Sequence, residues 1–332
     1  MSTYCPCCAK AISSAGPCVN CAFDVPSEWL DDVQVSLAMT GARTAGKTVL
    51  IAAMMYQFEE FLARHHRSFL TGLGDTAERF RDDYETPLFE LRQLLPPTPR
   101  AEQANLKPLM WTFSVGGQKC CLSLVDAAGE DFETLRADDP RFAYLGHADL
   151  IVALIDPLKV AGVGAVLAGI ANAPQGSGRD IEVLRRVLRA RNAHRSQAKT
   201  EQYLALTLSK FDVLQQMRDL PAAPWQSIMN RPGSAMQRDR SFGTAYDDTV
   251  DGDLLNAELN GLLQAMGAEM LLAAAEEAQI PYRLFATSAL GLPPTHDAVH
   301  KGGICSYRVL DPLKAALSMK IDASRTEKEW TA

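Results

Sequence analysis

Eight consecutive residues, Gly41-Ala42-Arg43-Thr44-Ala45-Gly46-Lys47-Thr48, have the spacing of a loop that wraps phosphates: Gly, four residues, Gly, Lys and a hydroxyl. Glycines let successive backbone N–H groups converge on anionic oxygens. A helix opening at the end of the loop adds its dipole and unsatisfied N–H donors. Lys47 is placed to reach the terminal phosphates, and Thr48 to offer its hydroxyl to Mg2+. An isolated glycine turn beside an exposed lysine could carry the same letters. Here, however, the apolar run Val33 to Met39 precedes the loop and a helical period from Thr48 to Leu62 follows it.

Kinases, ATPases and GTPases all use such a loop, so later segments must distinguish them. Cys120 to Val125 reads as a strand ending in Asp126-Ala127-Ala128-Gly129. Asp126 can hold Mg2+ through water, and the Gly129 N–H can sense a γ-phosphate. Ser209-Lys210-Phe211-Asp212 follows another strand, Tyr203 to Leu208. A carboxylate at Asp212 can accept both the ring N–H and the exocyclic amine of guanine, a donor pair that adenine lacks. Lys210 can lay its stem along the base. Thr287-Ser288-Ala289, at the end of the strand from Tyr282, can bring a backbone N–H to the guanine O6. The threonine that covers Mg2+ is expected at Thr98, in the polar loop before Trp111, with Thr71, Thr76 and Thr86 as alternatives that could equally be helix caps.

Cys5-Pro6-Cys7-Cys8 and Cys18-Val19-Asn20-Cys21 form two Cys-x2-Cys knuckles. Four thiolates, from Cys5, Cys8, Cys18 and Cys21, suit tetrahedral Zn2+. Cys7 is a surplus thiol that could replace Cys5 or Cys8, and an iron–sulfur cluster is the rival occupant. Five of the eight cysteines fall in the first 21 residues, and with no secretory signal this points to metal rather than disulfides. Cys120, Cys121 and Cys305 read as small core hydrophobes.

Apolar runs at Leu150 to Ile155, Tyr203 to Leu208 and Tyr282 to Thr287 suit strands buried on both faces. A hairpin is expected at Gly116-Gly117. Helical periods cover Ile181 to Leu188, Leu254 to Glu277 and Val309 to Met319, and short helices are expected from Asp75 to Leu95, interrupted near Pro87. The alternation predicts an α/β three-layer sandwich with a mainly parallel sheet. The expected organisation is a zinc-ribbon over 1–28 and a P-loop domain over 33–320, followed by a tail over 321–332. Insertions are expected at about 65–108, 157–200 and 221–253, the most irregular parts being Ala173 to Arg179 and Pro221 to Asp253.

A chain of 332 residues, 47% hydrophobic, can bury a large core, and its net charge of -7 gives no general attraction to nucleic acid or anionic membranes. Arg185, Arg186, Arg189, Arg191 and Arg195 read as a solvated helix face. No apolar run reaches the ~20 residues of a membrane span. Without a leader, a cytoplasmic protein is expected.

Taken in order, these motifs resemble those of the translation-factor and Ras-like class of P-loop GTPases, over about Gln34 to Leu317. The long inserts, Ile155-Asp156-Pro157 and the closing Val309-Leu310-Asp311-Pro312-Leu313 further resemble the bacterial double-GTPases, which are encoded in pairs in predicted conflict or defence systems. The resemblance implies a GTP-binding and GTP-hydrolysing switch using GTP/GDP and Mg2+, with a second GTPase or an effector as partner. A non-hydrolysing GTP-binding scaffold is the alternative; an ATPase or kinase and a zinc-ribbon adaptor are further rivals. Three departures from the family pattern bear on mechanism. Ser209 stands where Asn or Thr is usual, and Glu130 where Ras-like enzymes carry a water-positioning Gln. Arg43, where a small residue is usual, is either an internal arginine finger or an outward surface residue. With Lys47, Glu130 and Arg43 are the candidate catalytic residues.

Overall fold

Leu150–Ile155, a run without a polar residue, is buried at every position, and such a strand must lie inside a sheet covered on both faces. The computed structural model describes residues 3–102, 106–160, 163, 179–195, 201–216, 226–243, 249–295 and 298–321. Four two-residue strands come first: β1 (Thr3–Tyr4), β2 (Ala11–Ile12), β3 (Gly16–Pro17) and β4 (Asp24–Val25). Helix α1 (Glu28–Asp31) leads into β5 (Val33–Gly41), α2 (Lys47–His66), β6 (Thr71–Gly72), α3 (Thr76–Phe80) and a π-helix (Arg81–Glu90). A hairpin of β7 (Leu109–Val115) and β8 (Gln118–Val125) precedes α4 (Gly129–Thr134), β9 (Leu150–Ile155), α5 (Arg179–His194) and β10 (Tyr203–Leu208). Then come α6 (Phe211–Gln215), α7 (Gln226–Met229), α8 (Thr249–Ala265), α9 (Glu269–Glu277), β11 (Tyr282–Ala286) and α10 (Asp311–Ile321).

Seven strands form the central sheet in the order β11-β10-β9-β5-β8-β7-β6. The first five are mutually parallel, and β7 and β6 complete the edge antiparallel. Gly116 and Gly117 have φ of 59° and 82°, the paired positive values a tight hairpin needs. Side chains alternate along β5: Val35, Leu37 and Met39 join the cluster under α2 and α10, while Ala38 joins the one under α5, α8 and α9. Helices therefore cover both faces, as the alternation of strands and helices predicts. Within the α2 layer, Phe58 meets Phe113 edge to face at 5.0 Å between ring centres, a geometry that adds about 0.5–1.5 kcal/mol to the area buried.

The structure corrects several local expectations. The period from Leu254 to Glu277 is two helices, α8 and α9, because the chain turns at Gly267 with φ 70°. Pro87 does not interrupt its helix. The Arg81–Glu90 segment passes it as a π-helix, with Leu91 N–H bonded to the Thr86 carbonyl (3.0 Å), and the wider turn tolerates the missing N–H. Cys305 is exposed, whereas Cys120 and Cys121 are core residues as expected. Arg191, expected on a solvated face, is buried, with its Nε on Gln202 Oε1 at 2.9 Å. Met229, Ala235 and Met236, in the irregular segment after Pro221, are buried in the core. Residues 173–178 and the tail from 322 lie outside the described residues. None of the described helices is long and apolar enough to cross a membrane.

Candidate functional site

Strand β5 ends at Gly41 and α2 begins at Lys47, so the phosphate-loop motif spans a strand-to-helix turn. Gly41 has φ 146°, and a Cβ there would lie 2.8 Å from the Leu154 carbonyl oxygen. Gly46 caps α2 with φ 90°. Thr44 has φ 63°, a strained setting for a β-branched residue. Lys47 is buried, and its Nζ donates to the carbonyls of Gly41 (3.1 Å) and Ala42 (3.3 Å). Burial lowers its pKa, against the opposing pull of Asp126 and Glu130.

Three of the expected Mg2+ residues meet. The Thr48 and Thr98 hydroxyls are 2.7 Å apart, and Thr98 Oγ1 donates to Asp126 Oδ2 at 3.4 Å. Tyr84, from the π-helix, adds its phenol to the same Oδ2 at 3.3 Å. Asp126 Oδ1 is buried without a hydrogen-bond partner among the described residues. Burial raises the Asp126 pKa, and the nearby Lys47 ammonium opposes that rise more than any other group. Hard oxygen donors around an unsatisfied buried carboxylate fit a hard divalent cation such as Mg2+. Among the alternatives for Thr98, Thr76 Oγ1 instead accepts the Met110 N–H (3.0 Å), Thr71 is in β6 and Thr86 is in the π-helix.

The N-terminus of α4 lies against the phosphate loop. A Cβ on Gly129 would come within 2.4 Å of the Arg43 backbone nitrogen, so no larger residue fits there. The Arg43 side chain is 66% exposed, and its Nε pairs with Glu130 Oε1 at 3.0 Å. The Arg43 N–H donates to Glu133 (3.2 Å), and its carbonyl accepts from Lys159 Nζ (2.6 Å).

At the far end of β10 and β11, Ser288 Oγ donates to Asp212 Oδ1 at 2.6 Å and itself accepts the Gly291 N–H at 3.0 Å. Burial raises the Asp212 pKa, and the Ser288 hydrogen bond pulls it back. Lys210, at φ 50°, directs its ammonium to the fully buried Asp156 (2.6 Å). Ser209 Oγ bonds the Ile155 carbonyl at 3.1 Å. The Ser288 N–H is engaged by the Tyr307 carbonyl (3.0 Å), so it is not available to another acceptor.

This chain matches the family model described as Double-GTPase 2 over residues 36–260. The chain belongs to the Double-GTPase 2 family. It is also 36% identical over 306 residues to SaeC of Mycolicibacterium smegmatis, named, as a provisional assignment, an ESX-1 scaffolding and assembly protein. That alignment covers 90% of this chain and 78% of the relative.

In this Double-GTPase 2 member the cysteine knuckles precede the matched span. Ala9 and Ala22 have φ of 58° and 57° and close their turns by N–H bonds to the carbonyls of Cys5 (2.9 Å) and Cys18 (2.8 Å). The Sγ atoms of Cys5, Cys8, Cys18 and Cys21 lie within 4.8 Å of one another, with Cys5–Cys21 at 3.7 Å and Cys8–Cys18 at 3.8 Å. Zn–S bonds of ~2.3 Å at tetrahedral angles put sulfurs about 3.8 Å apart, so the set fits zinc. Burial disfavours a Cys18 thiolate, but N–H donors from Asn20 and Cys21 outweigh it and bring the thiol to about 6. Cys7 is the surplus thiol: it points to the Leu106 carbonyl (3.5 Å), and burial pushes it up to about 12.

Tyr84 and Lys159 were not foreseen from the sequence. Tyr84 lies in a segment without a period. Lys159 did carry a signal, as a charged residue just beyond the carboxyl end of an apolar parallel strand, where α/β sheets bind ligands.

Proposed function

We propose that this protein is a guanine-nucleotide-dependent switch that binds GTP and GDP with Mg2+, hydrolyses GTP slowly, and acts in scaffolding or assembly with a partner protein. The observation that carries the reading is one fold edge with two halves: Thr48, Thr98 and Asp126 gathered at one, and Asp212 paired with Ser288 at the other. Residues 41–48 would cradle the phosphates, and Lys47 would turn from the loop carbonyls to the terminal oxygens. Thr48 and Thr98 would hold Mg2+ through their hydroxyl oxygens, with Asp126 behind them, and the cation would offset phosphate charge. Asp212 would accept the two guanine N–H groups while Ser288 fixes its rotamer, with Lys210 alongside and Ala289 facing O6. Gly129 would leave its N–H for the third phosphate, and its contact with Arg43 would make the α4 end responsive to it.

Glu130 held by Arg43 supports slow or partner-dependent turnover, because no neutral side chain stands there to orient water. The same observation favours the second reading, a non-hydrolysing GTP-binding scaffold, and the scaffolding name of the Mycolicibacterium relative agrees with either. The cysteine set is proposed to hold one structural Zn2+, with a ribbon over 1–28 and the nucleotide domain over 33–320. Titration calorimetry with GTP, GDP and ATP in the presence of Mg2+ tests the binding claim: guanine preference is expected, and equal ATP affinity would contradict it. Single-turnover hydrolysis, alone and with candidate partners, separates switch from scaffold.

A further inference from the structure

A chain of buried charges runs beneath the site. Lys210 Nζ meets Asp156 Oδ2 at 2.6 Å, and the Asp156 N–H donates to Asp180 Oδ2 at 2.7 Å. Asp180 Oδ1 lies 3.7 Å from Lys159 Nζ, and that ammonium donates to the Arg43 carbonyl at 2.6 Å. Asp156, Asp180 and Lys159 are 0%, 3% and 6% exposed, so this is a built network and not a surface pairing. It starts at the base-reading loop and ends on the phosphate loop.

We propose that Lys159 is a positioning residue for nucleotide phosphate: anchored by Asp180, it holds the Arg43–Thr44 peptide so that the Thr44 N–H faces the phosphate. The proposal rests on the nucleotide-binding reading above. In a planar trans peptide the carbonyl and the following N–H point in opposite directions. Fixing the Arg43 carbonyl on Lys159 therefore fixes where the Thr44 N–H is aimed. Thr44 needs such a clamp, because its φ of 63° is one that a β-branched residue seldom adopts and that reverts unless surrounding contacts over-determine it. A glycine would take that conformation without help. Lys159 thus substitutes for a glycine at position 44, and the two positions are coupled.

That coupling distinguishes positioning from mere support of the fold. Lys159→Met is combined with Asp180→Asn, so that no buried carboxylate loses its counter-charge, and the fold is checked by thermal melting. Equilibrium titration with a fluorescent GDP and GTP is expected to show roughly tenfold weaker binding, in keeping with the cost of one strained residue. Adding Thr44→Gly should bring affinity back to within about threefold of Thr44→Gly alone, the mark of two coupled positions. Lys159→Arg, which keeps the donor and the charge, should bind more tightly than the Met variant. If the apolar pair does not fold, the same cycle is run with Lys159→Gln and Asp180→Asn, which keep hydrogen-bonding amides. Unchanged affinity in a folded variant, or a loss that Thr44→Gly does not relieve, overturns the proposal while leaving the nucleotide reading intact. A wild type that binds neither GDP nor GTP overturns both.

Discussion

At Asp212 burial raises the carboxyl pKa and the Ser288 hydroxyl opposes it, yet guanine needs the ionised form to accept two N–H groups. A raised folded-state pKa means that protonation favours the free fold, which gains stability as pH falls, whereas guanine binding must expel the proton. GDP affinity should therefore fall on acidification at a pH above that of an ordinary Asp, and Asp212→Asn should lose this dependence. The same variant should weaken GTP and favour xanthosine nucleotides, whereas the wild type is expected to prefer GTP to ATP by ~100-fold or more. A competition titration across pH checks both statements, and a wild-type profile flat down to the ordinary Asp range contradicts the assignment. In the loop over residues 41–48, Arg43 offsets the charge of Glu130. Arg43→Ala should accordingly weaken GTP about 3–10-fold more than GDP, as an uncompensated carboxylate near a third phosphate would. Equal losses would show that the pair does not face it. The strand-to-helix turns at residues 41–48 and 209–212 were legible because each is written in contiguous residues. Tyr84 on Asp126 and Lys159 on Arg43 were not, because residues 42 and 116 positions apart meet only through the fold.

Between elements, the ribbon and the sheet share a buried cluster of Cys5, Cys18, Val25, Trp29, Met110 and Cys121. The Trp29 indole donates to the Tyr4 carbonyl at 2.8 Å, binding the two parts together. Packing shows that the knuckles also cover β7 and β8. Metal analysis of a chelator-washed sample should find about one zinc per chain. Cys18→Ser with Cys21→Ser should leave GDP binding in place but lower the melting temperature by about 5–10 °C, since two or three large apolar side chains lose cover. Calorimetry that finds an unchanged transition would show the ribbon to be energetically independent. The strands were legible because apolar runs of five or six residues have one stable place in an α/β sheet. Helix limits were less so: the period from Leu254 to Glu277 continues through Gly267, and only that residue's φ of 70° divides it.

For the molecule as a whole, the segment after Pro221 is fastened by charge. Arg308 pairs with Asp251 (2.6 Å) and Asp311 (2.7 Å), Arg238 also reaches Asp251 (2.8 Å), and all four join α8, α10 and the 226–243 segment. Removing one partner strands buried charge, so Arg308→Met should cost about 3–5 kcal/mol, read from denaturant unfolding. A loss under about 1 kcal/mol, typical of exposed pairs, would show that the network is not buried in solution. No periodicity announces this fastening, because its members are scattered over the last third of the chain.

The shared cluster of ribbon and sheet also has a consequence in time. Cys5 to Cys21 leave the ribosome about 100 residues before Cys121, which at ~5–20 residues per second is an interval of roughly 5–20 s. Metal can close the knuckles at once, since their ligands are near neighbours, but Trp29 has no sheet to rest on until the β7–β8 hairpin exists. A nascent chain that had taken up metal would in that interval hold its knuckles closed while the Trp29 face lay uncovered. A chaperone that binds apolar surface would meet that face first.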